Sequence, residues 1–238
     1  MRSCFKGRQD PIPSTLPMAG RGRFVVLEGI DGCGKTTQLE ALRAWLPQSG
    51  LLATHARVVV TREPGGTPFG EALRDLLLHP PADQVPAQRA ELLLYAADRA
   101  QHVVERIAPA LAAGHWVLSD RYSGSTEAYQ GHGRGLPLEA IRQLEQFATD
   151  GLSPDLTIWL DVPLPETLQR RRHRGKDRME AEGEAFLQRV HEGFQTLAQD
   201  RGWWRVEAVG DPTAVSERCR MALLERFSST AFGDRADG

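Results

Sequence analysis

The sequence predicts an α/β protein built on a doubly wound, five-stranded parallel sheet flanked by helices. Three observations predict it. Five short apolar runs alternate with stretches whose apolar residues recur at helical spacing. The first run ends in a Gly-rich loop that opens directly into a helix. Charged residues (Glu28, Arg62, Asp120 and Asp161) stand at or just past the ends of four runs, the edge where right-handed crossovers gather the strand termini.

Taken in order, Phe24–Glu28 reads as a buried strand, and Leu39, Leu42, Trp45 and Leu46 mark a helix that stops before Pro47. Arg57–Thr61 is the second strand, closed by Pro64-Gly65-Gly66, and Phe69 to Leu78 is helical. A long Ala- and Leu-rich helix spans Ala87 to Ala113 and ends at Gly114. Trp116–Ser119, closed by Asp120, is the third strand; a polar segment and two helical stretches follow to about Asp150. Leu156–Leu160 is the fourth strand, Leu164–Arg174 a basic helix and Glu184–Gln199 another. Trp203–Val209 is the fifth strand and Thr213–Arg226 the last helix.

The 238 residues suffice for one such domain with a sizeable core, and 41% hydrophobic with 25% charged residues is ordinary for a globular protein. A single domain is expected over 22–228, after a polar, Pro-rich leader at 1–21 expected to be disordered, in which Met18 offers an alternative start. The leader lacks the apolar stretch of a signal peptide, and 229–238 is expected to fray. No apolar run approaches membrane-spanning length, so no membrane partner is expected. A net charge of −2 disfavours a nucleic-acid binder. Cys4, Cys33 and Cys219 form neither a disulfide framework nor a zinc pattern, which suits a reducing, cytoplasmic setting. Of 29 basic residues only Lys6, Lys35 and Lys176 are lysine.

Gly29-Ile30-Asp31-Gly32-Cys33-Gly34-Lys35-Thr36 matches GxxxxGK[ST], with Thr37 following, between a strand and a helix. Glycines let successive backbone N–H groups turn inward around phosphate oxygens, and the helix terminus adds positive charge. Lys35 is then expected at the β- and γ-phosphates of a nucleotide, and the Thr36 hydroxyl on Mg²⁺; the loop alone does not choose between kinase, GTPase and motor ATPase. Asp31 is out of place beside phosphates unless a substrate hydroxyl or an arginine compensates it; it also suits a turn-stabilising role. Cys33 is small and expected to be inert. No base-reading NKxD segment of a GTPase is present.

These segments, with Thr61-Arg62-Glu63-Pro64-Gly65-Gly66-Thr67, Tyr95-Ala96-Ala97-Asp98-Arg99, Asp120-Arg121-Tyr122, Ser125, Ala128-Tyr129-Gln130, Pro154-Asp155-Leu156-Thr157, Leu160-Asp161-Val162 and Arg174-Gly175-Lys176-Asp177-Arg178-Met179-Glu180, together resemble the thymidylate kinases. The resemblance runs in order from about residue 23 to 224. It implies phosphoryl transfer from ATP to dTMP with Mg²⁺, in a homodimer for which the Ala87–Ala113 helix offers an apolar face, unless that helix is simply buried within the monomer. It places Arg62 and Arg121 at the acceptor phosphate, where a planar guanidinium suits bidentate binding. Asp120 acts through Mg²⁺ or its water, with a helix cap as the plainer reading. Tyr95 stacks on thymine, where a phenylalanine is commoner, although an aromatic on an Ala/Leu helix also reads as core. Arg99 donates to a base carbonyl, Thr126 and Gln130 reach the base edge, and Ser125 joins the acceptor site. Tyr129 crowds the sugar 2′ position, and Asp31 accepts from the 3′-hydroxyl.

The basic run Arg170–Arg178 resembles the family's lid, expected over about 170–182. One subgroup carries an arginine in the phosphate loop and the other supplies it from the lid; Gly32 holds that loop position here, pointing to Arg174 or Arg178. Without the resemblance, the run reads as a solvated helix end. The alternatives are another nucleoside monophosphate kinase, a deoxynucleoside kinase or a nucleotide-dependent switch protein.

Overall fold

In the computed structural model, which describes residues 21–81, 84–171 and 182–231, β1 (Phe24–Glu28) is buried along its whole length. β2 (Val58–Arg62), β3 (Trp116–Asp120), β4 (Leu156–Asp161) and β5 (Trp204–Glu207) join it in a sheet of order β2-β3-β1-β4-β5, every pair parallel. The expected five-stranded parallel sheet is therefore present. Alternate residues of β1 enter opposite cores, as the pleat requires. Val25 and Leu27 pack with Leu39, Leu42, Phe194 and Leu223, while Phe24 and Val26 pack with Val103, Ile107, Leu111 and Tyr122. Both faces are covered, which is why the strand is an unbroken apolar run.

α1 (Lys35–Trp45) leaves the phosphate loop and gives way to a 3₁₀ turn, Leu46–Gln48, at Pro47. α2 (Pro68–Leu78) starts where the Thr67 hydroxyl accepts the Gly70 N–H at 3.0 Å. α3 (Gln88–His102) was expected to run on unbroken. It passes instead through a π-helical turn, Val103–Ile107, into α4 (Ala108–Ala112). Pro109 has no N–H to donate to an i−4 carbonyl, and the wider turn precedes it while Val103, Ile107 and Leu111 stay in the core. α5 (Ser123–Thr126) likewise continues as a π-helical stretch, Glu127–Gly133, before α6 (Leu138–Thr149). α7 (Leu164–Arg171), α8 (Glu184–Asp200) and α9 (Pro212–Ala231) complete the fold.

Beyond single-residue shifts, β5 and α9 differ in extent from expectation. β5 is shorter, because the Trp203 N–H bonds to the Ala198 carbonyl of α8 rather than to the ladder. α9 continues past Arg226, where Phe227 is buried edge-on against Trp116 at 4.9 Å. No helix among the described residues is long and apolar enough to cross a membrane. Of the leader only Arg21 is described, and of the lid segment only Arg170, Arg171 and Glu182. Arg174 and Arg178 lie outside the described residues.

Candidate active site

The C-terminal ends of β1, β2 and β3 open into a cleft of about 870 Å³. Asp31 to Thr37 form one wall; Arg62, Glu63, Arg74 and Asp120 to Arg121 face it. The loop needs its glycines. Gly34 caps α1 at φ 101° with no side chain capping the first turn, and the first residues of that turn, Lys35 to Thr37, line the cleft. A Cβ on Gly29 would meet the Leu160 carbonyl oxygen at 2.8 Å. Lys35 Nζ folds back to donate to the Gly29 and Ile30 carbonyls at 3.0 and 3.2 Å. Gly29 and Ile30 themselves do not line the cleft, and the Ile30 side chain lies in the core. The Thr36 hydroxyl donates to Asp120 Oδ2 at 3.2 Å, while Asp120 Oδ1 lies 4.0 Å from Lys35 Nζ. Hydroxyl, carboxylate and ammonium thus meet at the mouth of the loop.

Arg121 is the hub of the site. It holds a φ of 76°, an unusual conformation for a side-chain-bearing residue, fixed in part by its N–H bond to Leu27 O at 3.0 Å. Its guanidinium donates to Gly29 O, Ser125 Oγ and, at 2.6 Å, Asp31 Oδ1. Tyr129 closes the triangle, its hydroxyl donating to Asp31 Oδ2 at 2.8 Å and its ring lying 5.1 Å from the guanidinium. Burial would raise the Asp31 carboxyl; Arg121 and Lys35 outweigh that and hold it below the usual carboxylate range. Burial also pushes the Tyr129 phenol well above its ordinary value. Asp31 is therefore an ionised acceptor at neutral pH and Tyr129 a neutral donor. Phe186 and Phe194 of α8 wall in the Tyr129 ring at 6.3 and 6.0 Å.

Glu28, at the end of β1, underpins the hub. It accepts the backbone N–H groups of Tyr122 and Ser125 on one oxygen and the Ser125 hydroxyl on the other. Burial raises its carboxyl to about 6, against the opposing charge of Arg121. The sequence marked Glu28 only as a strand-end residue; a carboxylate closing an otherwise apolar buried strand was the available signal.

A smaller recess opens from the cleft, lined by Tyr95, Arg99, Arg121, Ser125, Thr126, Tyr129 and Gln130. All seven were picked from the sequence, and they converge here. Arg99 is 2% exposed and is engaged more deeply than its sequence suggests. It donates to Glu63, Thr126 Oγ1 and Tyr122 O, and Glu145 Oε1 lies 2.5 Å from its guanidinium. Glu63 also meets His102 Nδ1 at 2.8 Å, and His102 Nε2 reaches the Thr61 hydroxyl at 2.6 Å. Tyr95 is partly buried against the core at the edge of the recess, so it packs and lines at once.

Arg62 reaches the cleft, paired through one nitrogen with both oxygens of Glu71. Arg74, which the sequence reading passed over, lines both cleft and recess and donates to Pro64 O at 2.8 Å. Helical spacing from Glu71 was its signal, three residues on and on the same face of α2. Asp161 turns elsewhere: it accepts from Arg205 Nε at 2.8 Å and lines neither cavity. Cys33 is buried, and burial raises its thiol, which leaves it protonated and unreactive.

Sheet order and loop place the chain among the P-loop nucleotide-binding α/β proteins, and an arginine-lined recess beside the loop is the geometry expected of a phosphotransferase in that class. A model of the family described as thymidylate kinase matches residues 27–218. The thymidylate kinase of Synechococcus sp. (strain RCC307) is 62% identical over 205 residues, covering 86% of this chain and 97% of that protein. That of Synechococcus sp. (strain WH7803) is 61% identical over 203 residues, 85% of this chain and 95% of its own length. That of Prochlorococcus marinus (strain MIT 9313) is 60% identical over 206 residues, with 87% and 95% covered. The chain belongs to the thymidylate kinase family.

Proposed function

We propose that the protein transfers the γ-phosphoryl group of ATP to dTMP, giving ADP and dTDP. The observation that carries this is the Arg121–Asp31–Tyr129 triangle, which ties the donor loop to the acceptor recess. Arg121 lines both cavities and is placed to hold the acceptor phosphate next to the transferred group. Arg62 and Arg74 add positive charge from the facing wall.

The donor set at the loop fits Mg²⁺. The Thr36 hydroxyl and Asp120 carboxylate are hard oxygen ligands, and this ion completes its shell with substrate phosphates and water, so no larger acidic cluster is required. Bound there, the ion would neutralise phosphate charge. Lys35 turns from the Gly29 and Ile30 carbonyls to the β- and γ-phosphates, with the uncapped N–H groups of α1 around them. The acceptor oxygen belongs to a phosphate ionised at neutral pH, so no general base is needed; catalysis is positioning and charge neutralisation. Asp31, held ionised, accepts from the sugar 3′-hydroxyl. Tyr95 stacks on thymine, and Thr126, Gln130 and an N–H of Arg99 address its edge. Arg174 or Arg178 is the further source of positive charge for the transferred group.

The reading extends to a cytoplasmic homodimer; Leu93 and Val104, 57% and 41% exposed along α3 and its π-helical extension, supply apolar surface for it. The test is ADP release with Mg²⁺ and ATP against dTMP, dUMP, UMP, CMP, AMP and thymidine. Selective stimulation by dTMP is expected. Stimulation by another monophosphate overturns the thymidylate assignments of Tyr95, Arg99 and Tyr129. Release independent of any acceptor favours a nucleotide-dependent switch.

A further inference from the structure

We infer that Glu91 of α3 is a specificity-determining positioning residue: it locks the Gln130 side-chain amide so that only a hydrogen-bond acceptor faces the acceptor recess. The inference rests on Gln130 reading the base edge.

Gln130 is 1% exposed and lines the recess. An isolated glutamine can turn its amide over and offer either NH₂ or carbonyl, so by itself it cannot tell a ring N–H from a ring nitrogen lone pair. Here the amide is not isolated. Its Nε2 donates to Glu91 Oε1 at 2.8 Å. Glu91 is fully buried, and a carboxylate paired with arginine can only accept. Arg134 enforces that state with a two-point pair, Nε to Oε1 at 2.7 Å and a terminal nitrogen to Oε2 at 3.0 Å. Turning the amide over would set the Gln130 carbonyl against the carboxylate and leave a buried acceptor pair facing each other. The Gln130 carbonyl oxygen makes no hydrogen bond among the described residues, which leaves it for a ligand.

The chemistry selects a base class. A fixed acceptor pairs with the imide N3–H of thymine or uracil. Against cytosine it meets the N3 lone pair, an acceptor facing an acceptor. The π-helical stretch Glu127–Gly133 assists, because it presents the adjacent residues Tyr129 and Gln130 to the same recess.

The test compares kcat/KM for dTMP and dCMP in the intact protein and in Glu91→Gln and Gln130→Ala, with folding checked by thermal melting. Glu91→Gln gives the amide a partner that both donates and accepts, so the dTMP:dCMP ratio is expected to fall by roughly 10-fold to 100-fold, the scale of one buried mismatched hydrogen bond. An equal loss for both substrates would mean that Glu91 only supports the fold, and overturns the inference. Gln130→Ala tests the orientation without touching Glu91. With the carbonyl fixed inward, dTMP loses rate while dCMP does not, since a repulsive contact is removed. Losses for both show a freely turning amide and also overturn it. If Gln130→Ala leaves dTMP unaffected, the base-reading assignment itself fails; if dTMP alone suffers and the Glu91→Gln ratio is unchanged, only the orienting role of Glu91 fails.

Discussion

Tyr129 performs two separable jobs, and paired substitutions distinguish them. Tyr129→Phe removes only the hydroxyl that donates to Asp31 Oδ2 at 2.8 Å. A hydrogen bond to a charged group contributes about 1.5–3 kcal/mol, but the Asp31 side chain is 33% exposed and water can replace the phenol, so about 1–2 kcal/mol is expected. For a chain of this length that lowers Tm by roughly 2–4 °C. The ring remains between Phe186 and Phe194, so preference for deoxy over ribo acceptors is unchanged. Tyr129→Leu retains an apolar contact with those rings but removes the planar wall, and discrimination against the ribose acceptor relaxes. The assay is the ratio of kcat/KM for dTMP and its ribose counterpart, measured beside a melt for each variant. If the Phe variant relaxes selectivity as far as the Leu variant, the hydroxyl and not the ring reads the sugar. If neither moves it, the crowding argument is wrong.

Three further outcomes are expected. Burial, helped by Glu63, raises the Asp98 carboxyl to about 6 from an ordinary 3.8. The native state therefore keeps a proton that the unfolded chain has released, and folding stability falls as pH rises between those values. Asp98→Asn leaves an acceptor for the Gly65 N–H and should add up to about 3 kcal/mol at pH 7.5 and almost nothing at pH 4 by denaturant titration, with an equal gain at both pH values refuting the sign. Alanine at the essential lid arginine, Arg174 or Arg178, should lower turnover on the order of 10³-fold in single-turnover assays; a flat scan of both would assign the charge to Arg121 alone. Tyr95→Ala should weaken dTMP binding by about 1–3 kcal/mol by calorimetry, whereas lost stability with unchanged binding would make it purely core.

The elements were legible where their signal is local. Phe24–Glu28 and the glycine loop announce themselves over a few residues, and Asp120 is placed by ending the strand that pairs beside β1. Conversely, the engagement of Arg99 depends on Glu63, Glu145 and Tyr122 from other elements, and no spacing along the chain links them. The π-helical turns were hidden because their residues have ordinary helical periodicity. Asp161 stands at the same sheet edge as Asp120, but a strand end fixes position along that edge and not partners, and Arg205 on the neighbouring strand pairs with it. Glu28 shows the reverse case: its place in the sequence was plain, while its work of holding the Arg121 loop appears only when Tyr122 and Ser125 fold back over it.

The most direct test of the central claim follows both phosphorus-containing products at once. ³¹P NMR of the protein with Mg²⁺, ATP and dTMP should show dTDP and ADP growing in equal amounts, with no inorganic phosphate. ADP and inorganic phosphate formed without dTDP would contradict phosphoryl transfer to the acceptor.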